Sequence, residues 1–264
     1  MNAAISTLNV NGSDMKYFSF GNGKKIMMII PGLSLRPVSE SAEFVAAAYD
    51  IFTRNDYTVY VFNVREKLFP EFTINNLADD IAEGLNILGI KSAYIFGCSM
   101  GGMAAMTIAA NHPEIVKKLV VCSSTSKAEI ISLSALDKWQ NLAKKGENIA
   151  LNRNMFRYIY SDEYLEKYSS AFKVLERTGT PDELERLTIL INSIKSFSVA
   201  DRLCKIKCPS LIIGSKKDRL IPYQEFSEIA DKLGGELFLS ENYSHAIYDE
   251  DSENHQRVFS FFEK

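Results

Sequence analysis

The chain of 264 residues is poor in the side chains that bind metals or build disulfide frameworks. It has three histidines and four cysteines, Cys98, Cys122, Cys204 and Cys208, with no CxxC pair among them. A structural zinc site is therefore not expected. Basic charge is not in excess either. The 30 Lys and Arg face 33 Asp and Glu, a formal net charge of −3, and the pI is about 5.8. Such a surface offers no field to neutralise a phosphate backbone, so nucleic acid is not an expected partner. No apolar run approaches the roughly 20 residues that a membrane-spanning helix needs; the longest lies around Ile26–Ile30. The opening Met1-Asn2-Ala3-Ala4-Ile5-Ser6 has neither a basic n-region nor a long apolar stretch. No secretory signal is expected, and the thiols are expected to be reduced in the cytoplasm.

What is present is ordinary globular material, 46% hydrophobic and 24% charged, enough for one large domain or one domain with a substantial insertion. Ile5–Val10 and Met15–Phe20 flank an Asn-Gly turn and read as a hairpin. Lys25–Ile30, Tyr57–Phe62, Ala93–Phe96 and Val116–Cys122 read as strands, the first nearly all apolar, as in a sheet buried on both faces. Between them the spacing predicts helices over 39–53, with Ser39 as cap, over 74–88 and over 100–111. This alternation predicts an α/β fold with a mainly parallel sheet and helices on both faces.

From about Thr125 to Val199 no strand pattern appears. Helical periodicity runs over 130–143, 154–160, 163–177 and 181–193, and Thr178–Glu183 reads as a helix start with Thr180 as cap. Strand–helix alternation then resumes with Ser210–Ile213, Tyr223–Leu233, Glu236–Leu239 and a last helix over 250–262. The expected organisation is a core of 1–124 and 200–264 with a helical cap over 125–199.

The chemistry concentrates in Phe96-Gly97-Cys98-Ser99-Met100-Gly101-Gly102. Gly97-x-Ser99-x-Gly101 falls between a strand and a helix, the setting of a nucleophile elbow. The turn must be tight and strained, so residues two away on either side must be small. It lifts the hydroxyl above the sheet and aims the N–H of Met100 at developing negative charge. Cys98 would need its own flanking glycines to serve as nucleophile, but Phe96 and Met100 stand there; it reads as a packed side chain.

These residues and the order of elements around them resemble the α/β-hydrolase fold family over nearly the whole chain. The resemblance implies a nucleophile, an acid and a histidine in that chain order. His112 ends the elbow helix and His255 lies within the last amphipathic helix, where it should be solvated. His245, in Asn242-Tyr243-Ser244-His245-Ala246, matches the family's histidine loop and is expected to be the general base for Ser99. Asp218, in the loop after Ser210–Ile213, matches the acid. The alternative place for the acid, after the strand that follows the elbow helix, reads Cys122-Ser123-Ser124-Thr125 and holds none. The loop Pro31-Gly32-Leu33-Ser34 should supply a second oxyanion donor, the N–H of Leu33, with Ser34 as an auxiliary contact and no histidine where many relatives carry one.

The resemblance implies hydrolysis of a small to medium carboxylic ester or thioester through an acyl-enzyme, with no metal or organic cofactor. A serine at the elbow argues against the haloalkane dehalogenases and epoxide hydrolases of this fold, which use aspartate. Three other activities keep the same triad: carbon–carbon bond hydrolysis of the meta-cleavage type, acyl transfer, and slow-turnover ligand sensing. The insertion is expected to cover Ser99. Most of its aromatics, Trp139, Phe156, Tyr158, Tyr160, Tyr164, Tyr168 and Phe172, are expected to pack among its helices, as is Met155.

Overall fold

A computed structural model of the chain describes residues 3–176 and 179–264. Met1 and Asn2, and the Arg177 and Thr178 of two expected helical segments, lie outside the described residues. Eight strands form one sheet: β1 (Ala4–Val10), β2 (Ser13–Phe20), β3 (Lys25–Ile30), β4 (Tyr57–Phe62), β5 (Ala93–Cys98), β6 (Val116–Cys122), β7 (Ser210–Ser215) and β8 (Glu236–Ser240). Their order is β1-β2-β4-β3-β5-β6-β7-β8. The β1–β2 and β2–β4 pairs are antiparallel and all others are parallel. This is the expected α/β architecture. In the hairpin, Val10 pairs with Ser13, leaving Asn11 and Gly12 to turn with φ of 49° and 76°. A two-residue turn of this hand needs positive φ at both places, which Asn-Gly tolerates.

From β3 the chain goes first to β4 on one side and later to β5 on the other. The strand order therefore reverses between β3 and β5. The loops leaving the carboxyl ends of these two strands open a crevice there, the usual ligand position in such sheets. Both the Pro31–Ser34 loop and the Ser99 elbow leave at this point.

The predicted 39–53 helix is broken. A 3₁₀ turn (Val38–Ser41) precedes α1 (Ala42–Ala48), and Tyr49 interrupts before α2 (Asp50–Thr53). Ser39 does not cap; its hydroxyl accepts from the Asn63 side chain at 2.9 Å, and Pro37 stands at the N-terminus of the turn. Ala42, Ala46, Tyr49 and Phe52 nevertheless stay buried together, so the apolar spacing survives where the backbone ladder does not. Next come α3 (Ile74–Ile87), capped by Thr73, and α4 (Met100–Asn111). Every residue of α4 from Met100 to Ala110 is buried. That is why this segment carries glycine, alanine and methionine all round rather than a polar face.

After β6 come α5 (Leu133–Lys144), α6 (Asn148–Ile159), α7 (Asp162–Lys167), α8 (Ser169–Leu175) and α9 (Pro181–Lys195). Two of these differ from expectation. The helix expected over 154–160 begins at Asn148, just past Gly146, whose φ of 69° ends the previous turn. The helix expected over 163–177 breaks at Tyr168, whose φ and ψ of −109° and 25° leave the helical region. Thr180 caps α9 as expected: its hydroxyl accepts from Glu183 N, and the Glu183 carboxylate accepts from Thr180 N. The segment departs and returns through an antiparallel neck, where Val199 N donates to Ser126 O and Ala128 N to Phe197 O, both at 2.8 Å. Buried Glu225 pins that neck by accepting from the Thr125 hydroxyl and from Ser126 N and Oγ at 2.7–3.0 Å.

The chain ends with α10 (Tyr223–Leu233), α11 (Ile247–Glu250) and α12 (Asn254–Glu263). The last helix thus starts four residues later than expected, because 247–250 form a separate turn after the histidine loop. Among the described residues no helix is long and apolar enough to cross a membrane.

Candidate active site

The elbow is built from close approach. Ser99 has φ 52° and ψ −120°, a strained conformation for a residue with a side chain. Backbone bonds hold it there. Ser99 N donates to Cys122 O at 2.9 Å, and Ser99 O accepts from Gly102 N at 2.9 Å, Met103 N at 3.2 Å and the Ser124 hydroxyl at 2.8 Å. The flanking glycines are a spatial necessity. A Cβ on Gly97 would lie 2.5 Å from Gly101 O, and one on Gly101 would lie 2.0 Å from Ile30 O.

The structure brings Ser99, His245 and Asp218 together. The hydroxyl of Ser99 is 2.9 Å from His245 Nε2, and His245 Nδ1 is 2.8 Å from Asp218 Oδ2. Side-chain exposure is 1% for His245 and 0% for Asp218, so the pair lies away from bulk water. Asp218 Oδ1 accepts from Leu220 N at 2.8 Å and Ile221 N at 3.0 Å. Each carboxylate oxygen thus has a fixed task. The Ser215 hydroxyl, at the end of β7, donates to Tyr243 O and ties the acid loop to the histidine loop.

The Pro31–Ser34 loop lies against Ser99. A Cβ on Gly32 would be 3.2 Å from Ser99 Cβ, and Leu33 borders the same small cavity as Ser99 and His245. Met100 opens α4, where the first N–H groups have no acceptor within the helix. Ser34 is not brought in. It is exposed, its hydroxyl donates to Arg36 O, and it borders a neighbouring cavity of about 230 Å³ between this loop and α9.

The other candidates sort cleanly. His112 sits at the end of α4, 3.5 Å from Asp79. His255 is not solvated as expected; it is half-buried, edge-on to Tyr49 with ring centres 4.3 Å apart, and burial lowers its pKa. Cys98 is packed, its thiol 3.7 Å from Ile30 O, and burial pushes that thiol up to about 12. It is no thiolate near neutral pH.

Above Ser99 the cavity is only about 30 Å³, room for about two waters. Leu136 and Trp139 of α5, Ile159 of α6, Ile194 of α9 and Tyr248 wall it. Phe156, Tyr160, Tyr164 and Phe172 instead pack on one another, with ring centres 4.9–6.5 Å apart. Glu225, Ser124 and Ser215 escape a sequence reading, because only the folded loops give them partners.

Asp249, four residues past His245, accepts from the Tyr160 hydroxyl at 2.9 Å. Although the residue is exposed, the protein packed on one side of its carboxyl pushes it up from 3.8 to about 6; the Tyr160 hydroxyl opposes this and the Glu250 charge adds to it. A carboxyl raised on folding favours the folded state at low pH, and that contribution is lost as pH rises through about 6. Asp249→Asn is therefore expected to raise the melting temperature relative to the parent above pH ~6, and to lose that advantage as pH falls toward ~4. Melting curves across this range, with no growth of the difference toward high pH, would contradict it.

An eight-stranded, mainly parallel sheet with a serine elbow at its switch point and a histidine and an acid on later loops defines a hydrolase of the α/β class. The chain belongs to the alpha/beta hydrolase fold family, whose profile matches residues 26–252. Two similar proteins, from Rhizobium rhizogenes and Serratia proteamaculans, bear the name "Putative carbamate hydrolase RutD". The first is 27% identical over 177 residues, 66% of this chain and 68% of the relative. The second is 27% identical over 194 residues, 71% of each. Among solved structures, MGS-M2, an alpha/beta hydrolase enzyme from a Medee basin deep-sea metagenome library, is similar with a TM-score of 0.85 and 25% identity, over 98% of both chains.

Proposed function

We propose that the protein is a serine hydrolase that cleaves a carboxylic ester or thioester of a small to medium substrate through an acyl-enzyme. The observation that carries this reading is the unbroken hydrogen-bonded line from Ser99 Oγ through His245 to buried Asp218. The Ser99 hydroxyl donates to Nε2 while Nδ1–H is held by Asp218, the tautomer a general base needs. As Ser99 Oγ attacks the carbonyl carbon, its proton passes to Nε2, and Asp218 stabilises the imidazolium. The N–H groups of Leu33 and Met100 receive the oxyanion. The imidazolium then protonates the departing alkoxide or thiolate. Water, deprotonated by His245, attacks the acyl-enzyme and frees Ser99.

In this reading residues 125–199 act as a lid over a core of 1–124 and 200–264. The apolar walls of the small cavity favour a short acyl group. The same size favours a second reading, a small carbamate, the substrate class in the relatives' name. A cytoplasmic location belongs to the same proposal and accords with four cysteines free of disulfides.

A panel of p-nitrophenyl esters, acyl-thioesters and small carbamates tests this. Short acyl esters or thioesters should turn over in the ordinary enzyme range of about 1–10³ s⁻¹, with rates falling as the acyl chain grows. Preference for carbamates would select the second reading. Turnover below about one per minute on every member would overturn both in favour of ligand sensing.

A further inference from the structure

The loops that carry His245 and Asp218 are gripped from above by one short stretch of the helical segment. Where α6 ends and α7 begins, Ile159 O accepts from Ala246 N at 2.8 Å. Tyr160 donates to Asp249. Ser161 donates twice to Glu250, from N to Oε1 at 2.8 Å and from Oγ to Oε2 at 2.6 Å. The same Ser161 hydroxyl caps α7 by accepting from Tyr164 N at 3.2 Å, so the contact is part of the helix start. On the acid side, Arg219 donates to Arg157 O at 2.6 Å and pairs with Asp162 at 3.1 Å. The residue after the histidine and the residue after the acid thus both hold this one junction.

We propose that the α6–α7 junction, residues 157–162, is a positioning clamp for the acid–base pair, with Ser161 and Glu250 at its centre. The inference rests on the triad reading above and deepens it. None of these groups touches the reacting atoms. They act by fixing where the His245 loop sits, and a misplacement of about 1 Å at such a site costs about 10²-fold in rate.

The test pairs two clamp variants, Glu250→Ala and the milder Ser161→Ala, with Arg186→Ala as control. Arg186, on α9, donates to the carbonyls of Arg65 and Glu66 and so fastens the helical segment elsewhere. Two readouts are taken. Long-range proton–nitrogen spectra report the tautomer of the His245 imidazole without any turnover, and phosphonylation of Ser99 by a small fluorophosphonate reports the base at work. In the clamp variants the imidazole should change from one Nδ1–H tautomer to an exchanging mixture, and phosphonylation should slow by about 10- to 100-fold. Glu250→Gln, which keeps one acceptor, should recover part of the loss. Arg186→Ala should leave the tautomer as in the parent. An unchanged tautomer in both clamp variants, or the same change in Arg186→Ala, overturns the clamp. A parent whose Ser99 resists phosphonylation overturns the hydrolase reading instead, and the spectra still decide the clamp.

Discussion

Ser99→Ala is expected to lower turnover of any ester that the parent cleaves by about 10⁶-fold, the loss seen when a triad nucleophile is removed. The fold should survive. An alanine is smaller than the serine it replaces, and the bonds that hold this turn are made by the backbone of residue 99, through N to Cys122 O and through O to Gly102, Met103 and Ser124. Covalent labelling by a fluorophosphonate should vanish with the hydroxyl, while the far-UV circular dichroism stays that of the parent. Labelling that persists in a folded Ser99→Ala protein would show a different nucleophile. Cys98 is a poor candidate for that role, since burial keeps its thiol protonated near neutral pH.

Asp218→Asn is expected to cost about 10⁴-fold in kcat with little change in stability. The reason is local bonding. Oδ1 is committed to two backbone donors, Leu220 N and Ile221 N, so in the variant the amide oxygen stays there. The amide NH₂ then faces His245 Nδ1 and requires it to be an acceptor. The ring proton moves to Nε2, which points at Ser99. A protonated Nε2 cannot take the proton of the hydroxyl. Steady-state kinetics over a range of pH checks this, and a kcat within about 10-fold of the parent would remove Asp218 from its assigned role.

The elbow was legible because its requirements are local. Two glycines bracket a serine between a strand and a helix, and the crowding measured at Gly97 and Gly101 is what that spacing encodes. His245 and Asp218 were legible through chain order and the resemblance of their loops, not through any spacing between them. Ser34 misled because sequence position alone does not say which way a loop residue faces. The breaks at Tyr49 and Tyr168 were hidden for a related reason: a spacing of apolar positions does not show where the backbone ladder between them is interrupted. Glu225, Ser215 and the Ser161–Glu250 contact had no signal in the sequence. Their partners lie on other loops, and only tertiary structure makes those hydrogen bonds.

The neck at Ser126 and Val199 has a consequence for protein engineering. Because the outgoing and returning strands of backbone sit side by side, the ends of any grafted segment would already be close together, and closing it would cost little chain entropy. Chimaeras that exchange this block between homologues would leave Ser99, Asp218 and His245 on the retained part of the chain, so, under the proposed lid role, selectivity would become a transplantable trait.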